Sequence, residues 1–221
     1  MIHLYQCIER NKLEMAMNHS MCSSHNMLRI TLSLIFISTL MHIASASNST
    51  STNNTYKRFI KVKCNSTTYP SYCYKFLSPY ASTIKTNTVT LTKISVHVAL
   101  KAAKNASSTL KRLSKGKGRL SDAERELISD CKENVGDAVD LLQQSVDGLK
   151  YLNGTRTYEE RFEWDTIKTW MSASITDEGT CTDEFDELKV RASIQNIIKR
   201  VLLHVACLNS IALALVNSLS Y

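Results

Sequence analysis

The chain can run long helices because few residues interrupt its regular segments. It contains two prolines and six glycines in 221 residues, and both prolines, Pro70 and Pro79, lie within the first 80 positions. Proline and glycine are the residues that most often end helices and strands. A β fold of this length needs many turns, so the composition favours helices arranged in one domain, with or without appendages.

Four segments repeat apolar residues every three or four positions, which is the spacing of one face of a helix. They cover about residues 86–113, 121–152, 158–175 and 182–219. Ser121 and Glu124 have the spacing of a capping box at the start of the second segment. The run Asp177-Glu178-Gly179 is expected to end the third segment, because glycine suits the end of a helix.

The connections between these segments are short, which favours antiparallel neighbours. Before them, residues 57–82 are rich in aromatic side chains and contain both prolines, so they are expected to form short helices folded into a hairpin. The sequence therefore predicts an all-α fold, an antiparallel up-down-up-down four-helix bundle with an N-terminal helical hairpin.

The N-terminal part has the features of a secretory signal peptide. Arg29 precedes an apolar run at residues 30–43, and Ala44-Ser45-Ala46 is a cleavage sequence. The run is short for a membrane span, which leaves a signal anchor as the alternative. Residues 1–46 are expected to be an N-terminal extension plus signal peptide, residues 47–55 a disordered leader, and residues 56–219 the folded domain.

Export is also consistent with the potential glycosylation sites. Five N-x-Ser/Thr sequons occur, at Asn48, Asn53, Asn65, Asn105 and Asn153. The protein is therefore expected to be secreted, with no membrane association after cleavage of the signal peptide.

Five cysteines follow the predicted cleavage point. Cys64 and Cys73 flank a proline-containing turn and form a natural local pair. Cys131 and Cys181 would then pair across a long loop, a closure worth roughly 4 kcal/mol on the loop-entropy model. That bond would tie the second helix to the turn between the third and the fourth. Cys207 lies on the apolar stripe of the last helix, where a small buried core residue is expected.

Charge is divided between the two halves of the chain. Residues 47–121 contain fourteen Lys and Arg and no acid, whereas residues 122–221 contain ten basic and eighteen acidic residues, which is 10 − 18 = −8. A basic half on an exported protein suggests attachment to an anionic polymer, and an acidic half suggests docking on a basic surface. Export argues against nucleic acid as the partner.

Acidic residues follow the second helix mainly at spacings of three and four, so they share one face. The row consists of Glu126, Asp130, Glu133, Asp137, Asp140 and Asp147. A solvated face is the ordinary interpretation of charges on a helix. Like charges at these spacings cost helix stability, however, which makes a continuous row of one sign less ordinary.

The sequence offers no catalytic constellation. After the predicted cleavage point it contains two histidines, His97 and His204, and no phosphate-binding glycine loop or H-E-x-x-H motif. His204 and Cys207 have metal-ligand spacing but no third ligand in view, so core packing is favoured. Glycosidase carboxylates need pKa values pushed apart in a cleft, which a row on an exposed face does not provide. Neither enzymatic activity nor a metal or other cofactor is expected.

Several motifs together resemble the plant invertase and pectin methylesterase inhibitors. They are Cys64, Tyr69-Pro70 and Cys73, then Asp130-Cys131-Lys132-Glu133, then Trp170-Met171-Ser172-Ala173-Ser174-Ile175-Thr176, Thr180-Cys181, and Ala212-Leu213-Ala214-Leu215. The resemblance covers about residues 56–219. It implies a four-helix bundle with an N-terminal hairpin, disulfides Cys64–Cys73 and Cys131–Cys181, secretion to the plant cell wall (apoplast), and inhibition of a carbohydrate-modifying enzyme through a 1:1 complex.

The same resemblance favours pectin methylesterase as the target. Trp170-x-Ser172-Ala173 followed by Thr176-x-x-x-Thr180-Cys181 is more similar to that branch. Invertase inhibitors carry a Pro-Lys-Phe element before the third helix, and the nearest match, Glu160-Arg161-Phe162, lacks the proline. Inhibition of a cell-wall or vacuolar invertase, with this loop plugging the active site, is the alternative.

An acidic helix face could imitate the anionic polymer in the cleft of pectin methylesterase. The expected contact residues are the six acids of the row together with Glu163, Asp165 and Thr169 of the next helix. The basic half is expected to anchor the protein to anionic pectin. A purely adhesive wall protein that inhibits nothing is a further hypothesis, which titration against both enzymes would distinguish.

Overall fold

The computed structural model describes residues 40–116, 120–153, 155–183, 185 and 189–219. These residues form helices and no strand, so the predicted all-α class is confirmed. The α-helices are α1 (Leu40–Cys64), α2 (Pro70–Leu77), α3 (Ala81–Ile84), α4 (Thr88–Ser114), α5 (Asp122–Gly148), α6 (Tyr158–Asp183) and α7 (Ala192–Asn217). A 3-10 helix, Ser78–Tyr80, joins α2 to α3.

Helices α4 to α7 form the core. Helix α4 packs against α5 and α7, and α6 packs against the same two helices. Each helix turns its apolar stripe inward, so that Leu91, Leu127, Ile167 and Ile198 are completely buried. Burial of each such side chain stabilises the fold by about 1.5–3 kcal/mol, which makes this apolar core its main support.

The starts of α4 and α5 follow from local sequence. The side chain of Asn87 accepts a hydrogen bond from the Thr90 amide at 2.8 Å and caps α4. At α5, the Ser121 hydroxyl accepts from the Glu124 amide at 3.2 Å, and the Glu124 carboxylate accepts from the Ser121 amide at 2.9 Å. The predicted capping box is therefore present, and both starts lie within two residues of those predicted.

Helices α1, α2 and α3 form an arm beside the core. A disulfide between Cys64 and Cys73 joins α1 to α2, as predicted. The Tyr72 hydroxyl and His204 Nδ1 form a hydrogen bond that connects the arm to α7. Residues 47–55 differ from the predicted disordered leader, because they continue α1 without a glycine or proline to stop the helix.

Helix α6 is longer than the sequence predicts. The run Asp177-Glu178-Gly179 lies inside the helix, so the predicted turn at this point is wrong. Glu178 is buried against α7, and packing of this side chain outweighs the local preference of glycine for a helix end. The Thr182 hydroxyl donates to the Gly179 carbonyl at 2.8 Å within α6, and α7 begins ten residues later than predicted, at Ala192.

The second disulfide joins Cys131 to Cys181, the predicted pair. Cys181 belongs to the last turn of α6, so the bond ties α5 to α6 and not to the start of the final helix. Both cysteines are completely buried. The bond therefore fixes the C-terminal end of α6 within the core.

Helix α7 supplies much of that core. Among the described residues it is the one helix long and apolar enough to cross a membrane, and 44% of its most apolar window is buried. Its buried stripe, which includes the predicted core residue Cys207, lies in the same apolar cluster as residues of α4 and α6. Core packing therefore accounts for its apolar character.

Candidate partner-binding surface

Six acidic side chains of α5 lie along its solvent side and are here called the acidic face. They are Glu126, Asp130, Glu133, Asp137, Asp140 and Asp147, all exposed or half-exposed. Leu127, Cys131 and Leu142 are buried on the opposite side. The periodicity that predicted the row thus follows from the division of α5 into a core side and a solvent side.

Helix α6 adds an acid that the sequence analysis did not include. Asp177 lies close enough to Asp137 for that charge to raise its pKa, although partial burial of Asp177 is the larger cause. Two carboxylates that repel each other therefore meet at the border of α5 and α6. Sequence reasoning missed Asp177 because the run 177–179 was assigned to a turn, where its direction could not be predicted.

The predicted contact residues of α6 differ in exposure and in the contacts they make. Glu163 is half-buried beside Gly148 of α5. Asp165 is exposed and forms an ion pair with Lys168 at 2.6 Å. The hydroxyl of Thr169 donates to the Asp165 carbonyl at 3.0 Å. Glu163 therefore lies against α5, the helix that carries the acidic face.

The acidic face is not uniform along its length. Asp147 accepts hydrogen bonds from Lys150 at 2.5 Å and from Gln143 at 3.2 Å, and the Lys150 ammonium is the main cause of its lowered pKa. Within the described residues, no ion pair reaches the other five acids. Their charges are therefore available to a basic partner.

The connection between α5 and α6 is held by a buried carboxylate. Glu160 is 7% exposed, and its two carboxylate oxygens accept hydrogen bonds from the amides of Asn153 and Arg156 at 2.5 and 2.7 Å. Arg156 has a φ of 59°, a left-handed conformation that is uncommon for residues other than glycine. Glu160 thus stabilises an otherwise strained loop.

Three aromatic side chains project from this connection. Tyr151, Tyr158 and Phe162 are 71%, 79% and 65% exposed. Large exposed aromatic side chains are common anchors in protein interfaces. Phe162 belongs to the segment that the invertase alternative places in an active site, and it is indeed on the surface.

A charged contact joins the starts of α5 and α7. Glu124 is 2% exposed and accepts hydrogen bonds from the Arg191 guanidinium at 2.5 and 2.8 Å and from the Arg191 amide at 3.2 Å. Arg191 is the largest cause that lowers the pKa of Glu124 to about 2. The spacing of Ser121 and Glu124 predicts the capping box, but the sequence carries no signal of this second role of Glu124.

A groove with a basic rim lies on α4. Its volume is about 480 Å³, and its lining includes Tyr80, Ile94, His97, Lys101 and Lys104. The arrangement combines an apolar floor with cationic side chains. It belongs to the half of the chain that carries basic residues and no acid.

The candidate glycosylation sites that the structure describes are on the surface. The side chains of Asn53, Asn65, Asn105 and Asn153 are exposed, whereas the side chain of Asn48 lies outside the described part. In the described ranges, no three His, Cys, Asp or Glu side chains are grouped so that they could hold a metal ion.

Comparisons with known proteins give the chain its relatives. Over 170 residues it is 39% identical to pectinesterase inhibitor 10 of Arabidopsis thaliana, covering 77% of this chain but 54% of that protein. Over 191 residues it is 35% identical to the 21 kDa protein of Daucus carota, covering 86% and 96% of the two chains. Pectinesterase inhibitor 4 of Arabidopsis thaliana is 35% identical over 190 residues, covering 85% and 94%.

The fold has a solved counterpart. A mutant form of a pectin methylesterase inhibitor from Arabidopsis superposes with a TM-score of 0.54 at 22% identity, covering 71% of this chain and 94% of that one. A family model described as plant invertase/pectin methylesterase inhibitor matches residues 58–215. This chain therefore belongs to the plant invertase/pectin methylesterase inhibitor family.

Proposed function

We propose that the chain is a secreted inhibitor of plant pectin methylesterase that forms a 1:1 complex and blocks the pectin-binding cleft of the enzyme. Several relatives at 30% identity or more, over most of this chain, are named pectinesterase inhibitors. The observation that carries the mechanism is the acidic face. Its charge has the sign of the galacturonate polymer that such a cleft accepts.

The acidic face acts as a mimic of the polymer. Its side chains project from one helix whose backbone is already ordered, so binding costs side-chain entropy but little backbone entropy. Complementary charge increases the rate of association and makes it sensitive to salt. Asp177 and Asp137 repel each other in the free protein, and a basic group of the enzyme placed between them relieves that repulsion.

We infer that α4 to α7 form an up-down-up-down bundle, which presents the acidic face on a fixed support. Contacts between α5 and α6 run in opposite directions along the two helices: Cys131 meets Cys181 near one end and Gly148 meets Glu163 near the other. The pairs Lys93–Leu152 and Lys104–Gln143 support the same relation for α4 and α5.

The invertase alternative is not favoured. Two of the relatives reported above are named pectinesterase inhibitors, and the segment 160–162 lacks the proline of the invertase inhibitor element. The exposed Phe162 is a surface aromatic whose removal distinguishes the two targets. Phe162→Ala should leave inhibition of pectin methylesterase within about twofold if the acidic face dominates binding.

The proposed contact is tested by charge reversal. Glu133→Lys combined with Asp137→Lys should weaken inhibition of a plant pectin methylesterase severalfold and flatten its dependence on ionic strength, because two attractive charges become repulsive. The fold should tolerate both changes, since both side chains are exposed and the second removes the repulsion at Asp177.

The matched control reverses two acids away from the acidic face. Asp122→Lys combined with Glu159→Lys changes two exposed acids that are not among the expected contact residues, and it alters the net charge as much as the test variant does. It should leave the inhibition constant near that of the unaltered protein, and circular dichroism should report equal helix content for all variants. Unchanged inhibition of pectin methylesterase by the Glu133/Asp137 variant would exclude the mimic. If the same variant instead loses inhibition of an invertase, the alternative target is favoured.

We further propose that the groove on α4 holds the secreted inhibitor on anionic pectin in the cell wall. Carboxylates of a galacturonate chain are complementary to Lys101 and Lys104, which line the groove. Lys101→Glu with Lys104→Glu should elute from immobilised polygalacturonate at lower salt than the unaltered protein. The control pair Lys111→Glu with Lys115→Glu changes the net charge equally, so equal elution of the two variants would indicate nonspecific attraction and contradict a defined site.

A further inference from the structure

Glu178 is a carboxyl group enclosed in the helical core, three residues before Cys181. It is 2% exposed and lies between α6 and α7. Within the described part of the chain no ion pair reaches it. An ionised carboxylate in such surroundings costs several kcal/mol unless it is paired and hydrogen-bonded, so its protonation state affects the stability of the core.

Asn209 of α7 faces this carboxyl group, and its amide orientation follows from its neighbours. The Ser174 hydroxyl donates to the Met171 carbonyl at 3.0 Å, which uses its one proton. The same hydroxyl oxygen lies 2.5 Å from Asn209 Nδ2 and must accept there. The Asn209 NH2 group therefore points towards Ser174, and it also donates to Glu178 Oε1 at 3.3 Å.

Within the described part of the chain, this arrangement leaves two buried oxygens without hydrogen-bond partners. They are Glu178 Oε2 and Asn209 Oδ1, the second oxygen of each group. If the carboxylate is ionised, both atoms are acceptors, and neither can satisfy the other. If Glu178 is protonated, its Oε2–H group becomes a hydrogen-bond donor. Asn209 Oδ1 is the acceptor that otherwise has no donor.

We propose that Glu178 is held as a neutral carboxylic acid that pairs with the Asn209 amide through two hydrogen bonds and thereby acts as a pH-sensitive link between α6 and α7. The Asn209 NH2 group donates to Glu178 Oε1, and the Glu178 hydroxyl donates to Asn209 Oδ1. Proton loss to solvent at higher pH converts the second bond into a contact between two acceptors and weakens the attachment of α6 to α7.

The negative charges near Glu178 disfavour its ionisation, as its burial does. Asp177 precedes it on α6 and, as a negative charge, opposes ionisation of Glu178. Helix α5 presents Asp137, which acts on Asp177. From α7 the neighbouring polar group is the Asn209 amide, which favours the charged form but by less than burial disfavours it. Burial is the main cause that raises the pKa of Glu178 to about 8.

The sign of the pH effect follows from this pKa. The unfolded chain releases the Glu178 proton near the ordinary value of 4.5, whereas the folded chain retains it up to about pH 8. The contribution of protonated Glu178 to the free energy of unfolding is therefore fully present below pH 4.5. It is lost as the pH rises to the pKa of Glu178 in the folded chain. Between these limits the unfolding equilibrium constant should increase by up to tenfold for each pH unit.

Three proteins test the proposal through denaturant unfolding at pH 5, 6, 7 and 8, followed by circular dichroism. Glu178→Gln retains one acceptor and gains a permanent donor, so it should form the same two hydrogen bonds with Asn209. Its free energy of unfolding should therefore fall much less between pH 5 and 8 than that of the unaltered protein. Asp177→Asn is the matched control, because it removes a neighbouring charge but keeps the acid, and it should still decline. Equal declines in the unaltered protein and Glu178→Gln would overturn the proposal.

The titration of Glu178 in the unaltered protein provides a second measurement that does not depend on any variant folding. With glutamate labelled with carbon-13 at the side-chain carboxyl, its resonance should titrate two or more pH units above those of the exposed glutamates. Titration of Glu178 in the same pH range as the exposed glutamates would refute the proposed pair of a neutral Glu178 with the Asn209 amide. The outcome is independent of the target enzyme.

The consequence for inhibition rests on the proposed function. If the link controls the inhibitor, Glu178→Gln should retain inhibition of pectin methylesterase to a higher pH than the unaltered protein. If neither protein inhibits the enzyme at any pH while the carboxyl still titrates late, the proposed function fails and the acid–amide pair stands. If both proteins lose inhibition in parallel while their stabilities diverge, the regulatory consequence is contradicted.

Discussion

Removal of the two disulfides, one at a time, should reduce stability unequally. Cys131 and Cys181 are separated by 50 residues, whereas Cys64 and Cys73 are separated by 9. All four cysteines are at most 1% exposed, so replacement by alanine removes similar buried groups from the two sites. The pairs differ mainly in the length of chain that each closes.

The loop-entropy model gives the size of the difference. Closure of 50 residues stabilises the fold by about 4 kcal/mol and closure of 9 residues by about 2.6 kcal/mol at 25 °C. The difference, about 1.5 kcal/mol, corresponds to roughly tenfold in the unfolding equilibrium constant. Because the double-alanine variants start from similar burial, the packing losses largely cancel in this comparison.

Urea unfolding under non-reducing conditions measures the two losses. Cys131→Ala with Cys181→Ala should have the lower free energy of unfolding and a steeper dependence on urea, because its unfolded chain exposes more surface. It should also lose inhibition of pectin methylesterase first, since the bond joins the helix of the acidic face to α6. A larger loss from the Cys64–Cys73 variant would refute the entropic reasoning and locate the greater constraint in the arm.

Four further substitutions have outcomes set by the structure. Gly148→Ala should destabilise the protein by about 1–3 kcal/mol, because its Cβ would meet side chains of α6, whereas Gly136→Ala has open space and should stabilise α5 by about 0.5–1 kcal/mol; thermal unfolding compares them. Glu124→Gln should remove the acid-dependent loss of stability that arises as pH falls from 4.5 towards the folded pKa of about 2, measured by acid unfolding. Glu160→Ala should free the loop it holds, so that limited proteolysis cuts between α5 and α6 faster while the rest of the fold remains protected.

The elements predicted best were those whose signals are local. The starts of α4 and α5 carry Asn87 and Ser121, whose side chains bond amides three residues later, and these signals can be read directly from sequence. The acidic face was predicted for a similar reason, because the period of a helix fixes which residues share a side. Neither prediction required knowledge of a distant contact.

The end of α6 was mispredicted because distant contacts decide it. Gly179 is a reasonable helix end by local preference, but Glu178 is enclosed by α7 and Cys181 is bonded to α5. Two tertiary contacts within four residues thus hold the helical conformation past a weak stop signal. For the same reason the sequence does not place Asp177 beside the acidic face, because the direction of its side chain is defined only once the segment is known to be helical.

Two of the buried glutamates, Glu124 and Glu178, impose opposite pH limits on one fold. Arg191 lowers the pKa of Glu124 to about 2, so its contribution is present above pH 4.5 and is lost in stronger acid. Burial raises the pKa of Glu178 to about 8, so its contribution is fully present below pH 4.5 and is lost as the pH rises towards 8. The repulsion of Asp177 by Asp137 also grows with pH. The favourable contact of Glu124 with Arg191 is thus lost in acid. The burial of an ionised Glu178 and the Asp177–Asp137 repulsion become unfavourable as the pH rises towards neutrality. The free energy of unfolding should therefore be greatest in mildly acidic solution, whereas many domains are most stable between about pH 5 and 8.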